Sequence, residues 1–339
     1  MLKVKVISRG SGSGWLRYFP DPNHTQLGCC KFVFNPDEKH YDWLVVYEDL
    51  PKQHNQPGKE KLGCNQQNTL LVTTEPPNIK LYDEEYTRQF GHVLTSHPPN
   101  ELKHPGRIYS QPALMWFCSD TGDNWNVLHQ DCQQKSKILS TVCSHKRQKH
   151  TLHNRRYDLT MELKTSIPEL DIFGRGIQHI DSKQQMMQAY QYHLAIENYR
   201  GLHHWTEKLA DTYLSCCLPF YYGCTNLADY FPEESYIEID LWDTQKTQET
   251  IKEAIANKAY LKRLSSIKEA RRRVLEEYSF FATINKIISE YHQDNSNRGG
   301  DILSRHAIRR QYPFRCIPRA IKKEVRQFFN TARPPNPDT

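Results

Sequence analysis

The 339-residue chain lacks an apolar run long enough to cross a bilayer. Its best stretch, Thr212 to Ala228, carries no charge, but Pro219 and Gly223 interrupt it and it falls short of about 20 residues. The start, Met1-Leu-Lys-Val-Lys-Val-Ile-Ser-Arg9, breaks its apolar residues with charges, so no secretory signal is expected and the cytoplasm is the expected location. Cys-x-x-Cys spacing is missing too. The ten cysteines include the adjacent pairs Cys29-Cys30 and Cys216-Cys217 and are otherwise scattered, which suits neither a disulfide framework nor a zinc site. Reduced thiols are therefore expected. His145, His150 and His153 cluster, but no cysteine pair or second histidine set completes a site, so no metal is expected. Apolar residues are few, at 37%, below the roughly 45–50% of ordinary globular domains. With no internal repeat or low-complexity block, collagen-like and coiled-coil readings drop out.

Large aromatic side chains are plentiful: six Trp, 19 Tyr and 13 Phe can build cores that a disordered chain could not. The length suits about two domains at roughly 100–200 residues each. The net charge of +6 is uneven, because residues 303–339 hold nine Lys and Arg against Glu324 and Asp338, leaving the rest close to neutral. A nucleic-acid protein would spread its basic residues over a folded face, so nucleic acid is not an expected partner. Within the tail, Ile317, Ile321, Val325, Phe328 and Phe329 fall at helical spacing among cations. Such a stripe suits docking on the protein's own body or peripheral contact with a membrane.

Short apolar runs bounded by Gly, Pro and Asn read as buried strands at Leu2–Ile7, Asp42–Tyr47 and Thr69–Thr73. A second series reads as a strand from Lys137, a helix near Arg155–Lys164 and a strand starting at Leu170. It continues with a strand over Tyr192–Ile196, a helix over Thr206–Cys217, strands over Pro219–Tyr222 and Tyr236–Leu241, and helices after Asp243. Alternation of this kind in both halves predicts two doubly wound α/β domains, 1–135 and 136–300, followed by a basic amphipathic helical tail, 301–339. Ligands of such sheets bind beyond the carboxyl ends of the strands, so a cleft between the two domains is the expected site.

Thr206 is a natural cap for the helix that follows it, and Glu207 and Lys208 then occupy the first turn. An acid there suits the positive helix end; a lysine does not, unless it is simply solvated or an anion is bound beside it. Arg156 opens the helix after the run His145-Lys-Arg-Gln-Lys-His-Thr-Leu-His153, where its fork could take a diphosphate. Gly174 and Gly176 allow a tight turn after the Leu170 strand. Glu75 ends a buried strand ahead of Pro76-Pro77. Facing the cleft and partly desolvated, it could act as a general base; it could equally cap a turn or pair with a cation.

Tyr192-His-Leu-Ala-Ile-Glu-Asn198, seven residues, then Thr206-Glu-Lys208 resembles the Phe-Glu-Asn…Thr-Glu-Lys signature of glycosyltransferase family 10, the α-1,3/4-fucosyltransferases. The likeness runs on through Leu218-Pro-Phe-Tyr-Tyr-Gly223 to Ser235-Tyr-Ile-Glu-Ile-Asp240, and more weakly back through Asp171–Gly176 and Arg156 to the Glu75 loop. It implies a GT-B fold, an acceptor-binding first domain and a nucleotide-sugar-binding second one. By position, Arg156 and Lys208 match the family's diphosphate-binding cations, Glu207 its ribose-holding acid, and Asn198 and His204 its donor site. Glu75 matches its base. The resemblance implies inverting transfer of fucose from GDP-fucose to an acceptor oligosaccharide or glycoconjugate, with no metal or other cofactor required. Another nucleotide sugar, or a non-catalytic glycan- or membrane-binding role, stays open at this point.

Overall fold

The computed structural model describes residues 1–9, 12–51, 58–116, 128–144, 151–178, 183–294 and 299–316. Among them, no helix is long and apolar enough to cross a membrane. The chain divides into two compact units, one of Met1–Ala113 with the segment that starts at Phe280, the other of Leu114–Ser279. This division differs from the expected boundaries at 135 and 300. The reason is packing: the helix Phe280–Tyr291 is apolar along one face and completes the aromatic core of the first unit. Phe280 lies 4.5 Å from the Trp15 ring and Phe281 lies 4.4 Å from Phe19.

The first unit is built on β1 (Leu2–Ser8), β2 (Gln26–Leu27), β3 (Cys30–Val33), β4 (Trp43–Tyr47), β6 (Thr69–Val72), β7 (His92–Thr95) and β8 (Arg107–Tyr109), in the order β2-β3-β1-β4-β6-β7-β8. Every pairing is parallel except that of β2 with β3. β6 and β7 are buried along their whole length, which is why Leu70-Leu71-Val72 of β6 reads as an unbroken apolar run where alternation would mark a half-exposed strand. A separate antiparallel pair joins β5 (Lys59–Lys61) to β14 (Asp301–Leu303). The beginning of the basic tail thus packs on this unit. Ile302 and Ile308 enter its core, Arg305 donates to the Leu81 carbonyl at 2.8 Å, and Arg309 pairs with Asp83 at 3.0 Å. The stripe from Ile317 to Phe329 lies outside the described residues, as do His145 and His150.

The second unit holds β9 (Lys137–Val142), β10 (Leu170–Phe173), β11 (Tyr190–Gly201), β12 (Leu218–Cys224) and β13 (Ile237–Glu238), all parallel, in the order β10-β9-β11-β12-β13. Leu159 and Leu163 of the helix His153–Ser166 and Ile251 and Ala254 of the helix Thr244–Ala256 pack with Leu194, Leu218 and Phe220 of the sheet. The expected strand over Tyr236–Leu241 shrinks to two paired residues. The expected helix to Cys217 stops at Leu214, because Cys216 turns left-handed at φ 53° and the Cys217 N–H returns to the Thr212 carbonyl.

That turn corrects the expectation of reduced thiols at two positions: Cys216 is disulfide-bonded to Cys132, 84 residues away in sequence, while the other seven described cysteines are free. Closing so long a loop restricts the unfolded chain, so Cys132→Ser is expected to lower stability by about 2–4 kcal/mol. Urea unfolding checks this: reductant should destabilise the parent chain to the level of the variant and leave the variant unchanged.

Candidate active site

In the second sheet the chain runs from β9 to β10 on one side and continues at β11 on the other. The crevice beyond the carboxyl ends of β9 and β11 is therefore the topological switch point where doubly wound sheets take their ligands. The end of β11 carries Asn198, and the segments leaving these two strands carry Arg156, His204, Glu207 and Lys208.

Arg156 sits in the first turn after β9 and is buried. Its Nη1 donates to Asn198 Oδ1 at 2.9 Å and to the Ile196 carbonyl at 3.3 Å, which fixes the guanidinium against the end of β11. Among the described residues its buried Nε finds no hydrogen-bond partner. An unmet donor of this kind is destabilising unless something occupies it, so the fork is poised for an acceptor. His204 is buried with its ring edge-on to Tyr199 at 5.3 Å. Gly174 and Gly176 both take positive φ and make the tight turn expected after β10.

Thr206 caps the helix Glu207–Leu214 as its residue type predicts, its hydroxyl accepting from the Lys208 N–H. Lys208 is not a solvated surface lysine. Its side chain is 22% exposed, and its ammonium lies 2.8 Å from Glu207, 3.1 Å from Thr206 Oγ1 and 3.5 Å from Glu197 Oε2. Burial opposes the charge on Lys208, but Glu207 and Glu197 outweigh it and raise its pKa. For Glu207 burial works upward; Lys208 and then Lys183 overcome it and hold the carboxyl well below its usual range. Both groups are therefore ionised at neutral pH. Arg156 and Lys208, the latter shared with Glu207 and Glu197, bring two cations to the helix N-terminus, a corner that can hold a diphosphate.

Glu197 is the acid of the Phe-Glu-Asn-like segment, yet the sequence alone assigns it no role. It is wholly buried and accepts from the Thr206 N–H at 2.8 Å and the Thr206 hydroxyl at 2.7 Å. Two residues beyond Asn198, Arg200 lines a cavity of ≈ 350 Å³ with Tyr222, Asp240, Trp242 and Lys246. Aromatic rings beside acidic and cationic side chains suit a polar ligand such as a saccharide ring.

Glu75 belongs to the first unit, just past the carboxyl end of β6. It is exposed, so the partial desolvation expected of it is not found, although Pro76 and Pro77 are buried and fix the loop. The loop is also held by the Thr74 N–H donating to the Tyr82 hydroxyl at 3.1 Å and by His97 Nε2 donating to the Glu75 carbonyl at 2.7 Å. Burial lowers the His97 pKa to about 4, and in the second unit it lowers that of His193, 2.8 Å from Ser140 Oγ, to about 3. Both are neutral in the folded chain. The unfolded chain binds these protons first, near the ordinary 6.5, so the stability they contribute is complete above that pH and is lost as pH falls toward 4. Melting temperature is expected to be flat above pH 7 and to drop below 6.5, less steeply in His193→Asn.

Among the described residues no group of three or more His, Cys, Asp or Glu is placed to hold a metal ion.

Residues 132–288 match the family model "Glycosyltransferase family 10 (fucosyltransferase) C-term". No curated protein matches the chain. Among solved structures, an α1,3-fucosyltransferase with GDP-fucose is 19% identical, with 86% of this chain and 93% of that one covered and a TM-score of 0.42. A DNA-modifying β-glucosyltransferase is 9% identical over 86% of this chain and 99% of that one, with a TM-score of 0.47. TarM is 8% identical over 86% and 55%, with a TM-score of 0.45.

Proposed function

We propose that this chain, whose residues 132–288 match the model of glycosyltransferase family 10, belongs to that family and transfers fucose from GDP-fucose to a hydroxyl of an acceptor glycan, with inversion at C1. The observation that carries the reading is the cationic corner at the switch point. Arg156, tied to Asn198, and Lys208, at a capped helix N-terminus, stand where a parallel sheet takes a phosphate. In this reading the donor's diphosphate takes Arg156, Lys208 and the helix N–H groups, Glu207 holds the ribose, and Asn198 and His204 complete the donor site.

Glu75 takes the proton of the acceptor hydroxyl as that oxygen bonds to fucose C1. The bond from C1 to the diphosphate oxygen breaks with its electron pair, so a β-linked donor gives an α-linked product and GDP leaves. Arg156, Lys208 and the helix terminus stabilise the charge that builds on the leaving group. Because Glu75 is exposed, the bound acceptor must supply the exclusion of water that a general base uses. Neither a metal nor another cofactor enters these steps.

Arg156→Lys tests the donor part. It keeps the charge and loses the planar fork, so the KM for GDP-fucose should rise about tenfold while kcat changes less. Unchanged KM in a steady-state transfer assay would remove Arg156 from the donor site.

A further inference from the structure

Lys208 is held from behind by a carboxylate on the neighbouring strand. Glu197 lies on β11, fully buried, and both of its oxygens bond Thr206: Oε1 accepts from the backbone N–H at 2.8 Å and Oε2 from the hydroxyl at 2.7 Å. A threonine hydroxyl has one proton, and here Glu197 takes it. The oxygen's lone pairs are thereby left to the Lys208 N–H at 3.4 Å and the Lys208 ammonium at 3.1 Å. The fold makes room for this acid. A Cβ added at Gly223, on β12, would stand 2.4 Å from Glu197 Cγ, so only glycine fits opposite it. Burial pushes the Glu197 carboxyl upward and the nearby Lys208 ammonium draws it back.

We infer that Glu197 is a positioning residue: through the Thr206 hydroxyl it holds the Lys208 ammonium and the first turn of the helix Glu207–Leu214 in the one arrangement that receives a nucleoside diphosphate. This rests on the donor site proposed above. It makes a prediction whose sign separates position from charge. Deleting a negative charge 3.5 Å from Lys208 would, by electrostatics alone, strengthen the binding of an anion. If Glu197 acts by position, the same deletion weakens it.

The test is calorimetric titration of the full chain with GDP, in the parent, Glu197→Gln, Thr206→Val, the double variant and Thr206→Ser. A charge-assisted hydrogen-bond chain of this kind is worth about 10- to 100-fold in affinity. Glu197→Gln and Thr206→Val should each weaken GDP binding by at least that lower bound, the double variant no more than either, and Thr206→Ser should bind like the parent. Tighter or equal binding by Glu197→Gln, or additive losses in the double variant, overturns the inference. Should Glu197→Gln fail to fold, judged by melting, the Thr206→Val and Thr206→Ser pair decides alone: loss in the first with retention in the second supports it, and equal behaviour overturns it.

A second readout needs no nucleotide. Amide exchange in the first turn of the helix Glu207–Leu214 should be several-fold faster in Glu197→Gln and Thr206→Val and unchanged in Thr206→Ser, because only the first two break the hold on Thr206. If the parent chain does not bind GDP, the donor reading falls; exchange then decides whether Glu197 positions this turn, unchanged rates in the first two variants overturning it.

Discussion

Lys208→Ala is expected to weaken GDP binding by about 100-fold, the largest single loss at the donor site. The ammonium offers a charge-assisted contact worth about 1.5–3 kcal/mol, and the helix N-terminus beside it adds a further fraction of a kcal/mol. Its removal also leaves Glu197 and Glu207 facing each other without the cation they share. One carboxylate of the two should then hold a proton more readily, since burial already raises Glu197 and Lys208 is the largest of the groups that draw it down, ahead of the Thr206 hydrogen bonds. The variant's affinity relative to the parent's should therefore fall as pH rises, the terminal phosphate of GDP titrating alike in both. Calorimetry at several pH values checks both parts, with melting curves to show that the variant is folded. An equal affinity in variant and parent would place the diphosphate elsewhere.

Glu75→Gln is expected to lower kcat by about 10²–10⁴-fold with little change in GDP-fucose binding, the size that follows loss of a general base. The amide keeps the shape of the side chain and can no longer take the acceptor's proton. Because Glu75 is exposed and its loop is pinned through backbone groups by Tyr82 and His97, the substitution should leave the melting temperature within a degree or two of the parent. Transfer at the parent's rate would reject the base assignment and leave the donor site untouched.

Much of the local geometry at the proposed donor site could be read from the sequence because its signals are local. Thr206 reads as a cap from the residues that follow it, and the structure shows it capping Lys208. Arg156 reads as a first-turn residue after a strand, and that is where it stands. Glu197 gave no such signal. An acid near the end of an apolar run looks like a strand leaving the core; its burial depends on Thr206, nine residues on, and on the empty space at Gly223, 26 residues on.

The same distinction holds for the fold. The longer buried runs, such as Trp43–Tyr47 and Lys137–Val142, announce themselves. His92–Thr95 and Arg107–Tyr109 are four and three residues long, too short for a period to show, and they become strands only by pairing with neighbours already in place. The return of the chain to its first unit at Phe280 is likewise invisible in composition, because an apolar helix face does not say which core it completes. The Cys132–Cys216 bond joins positions that no spacing rule connects. Exposure of Glu75 was equally out of reach, since a strand-end acid reads the same whether its carboxylate is covered or open.

The measurement that bears most directly on the proposed activity is calorimetric titration of the full chain with GDP-fucose, GDP-mannose, UDP-galactose and GDP, beside Lys208→Ala. Fucosyl transfer predicts that GDP-fucose and GDP bind, that GDP-mannose binds more weakly, that UDP-galactose does not bind, and that the variant loses the binding. Equal indifference to all four, or binding that Lys208→Ala leaves intact, would contradict it.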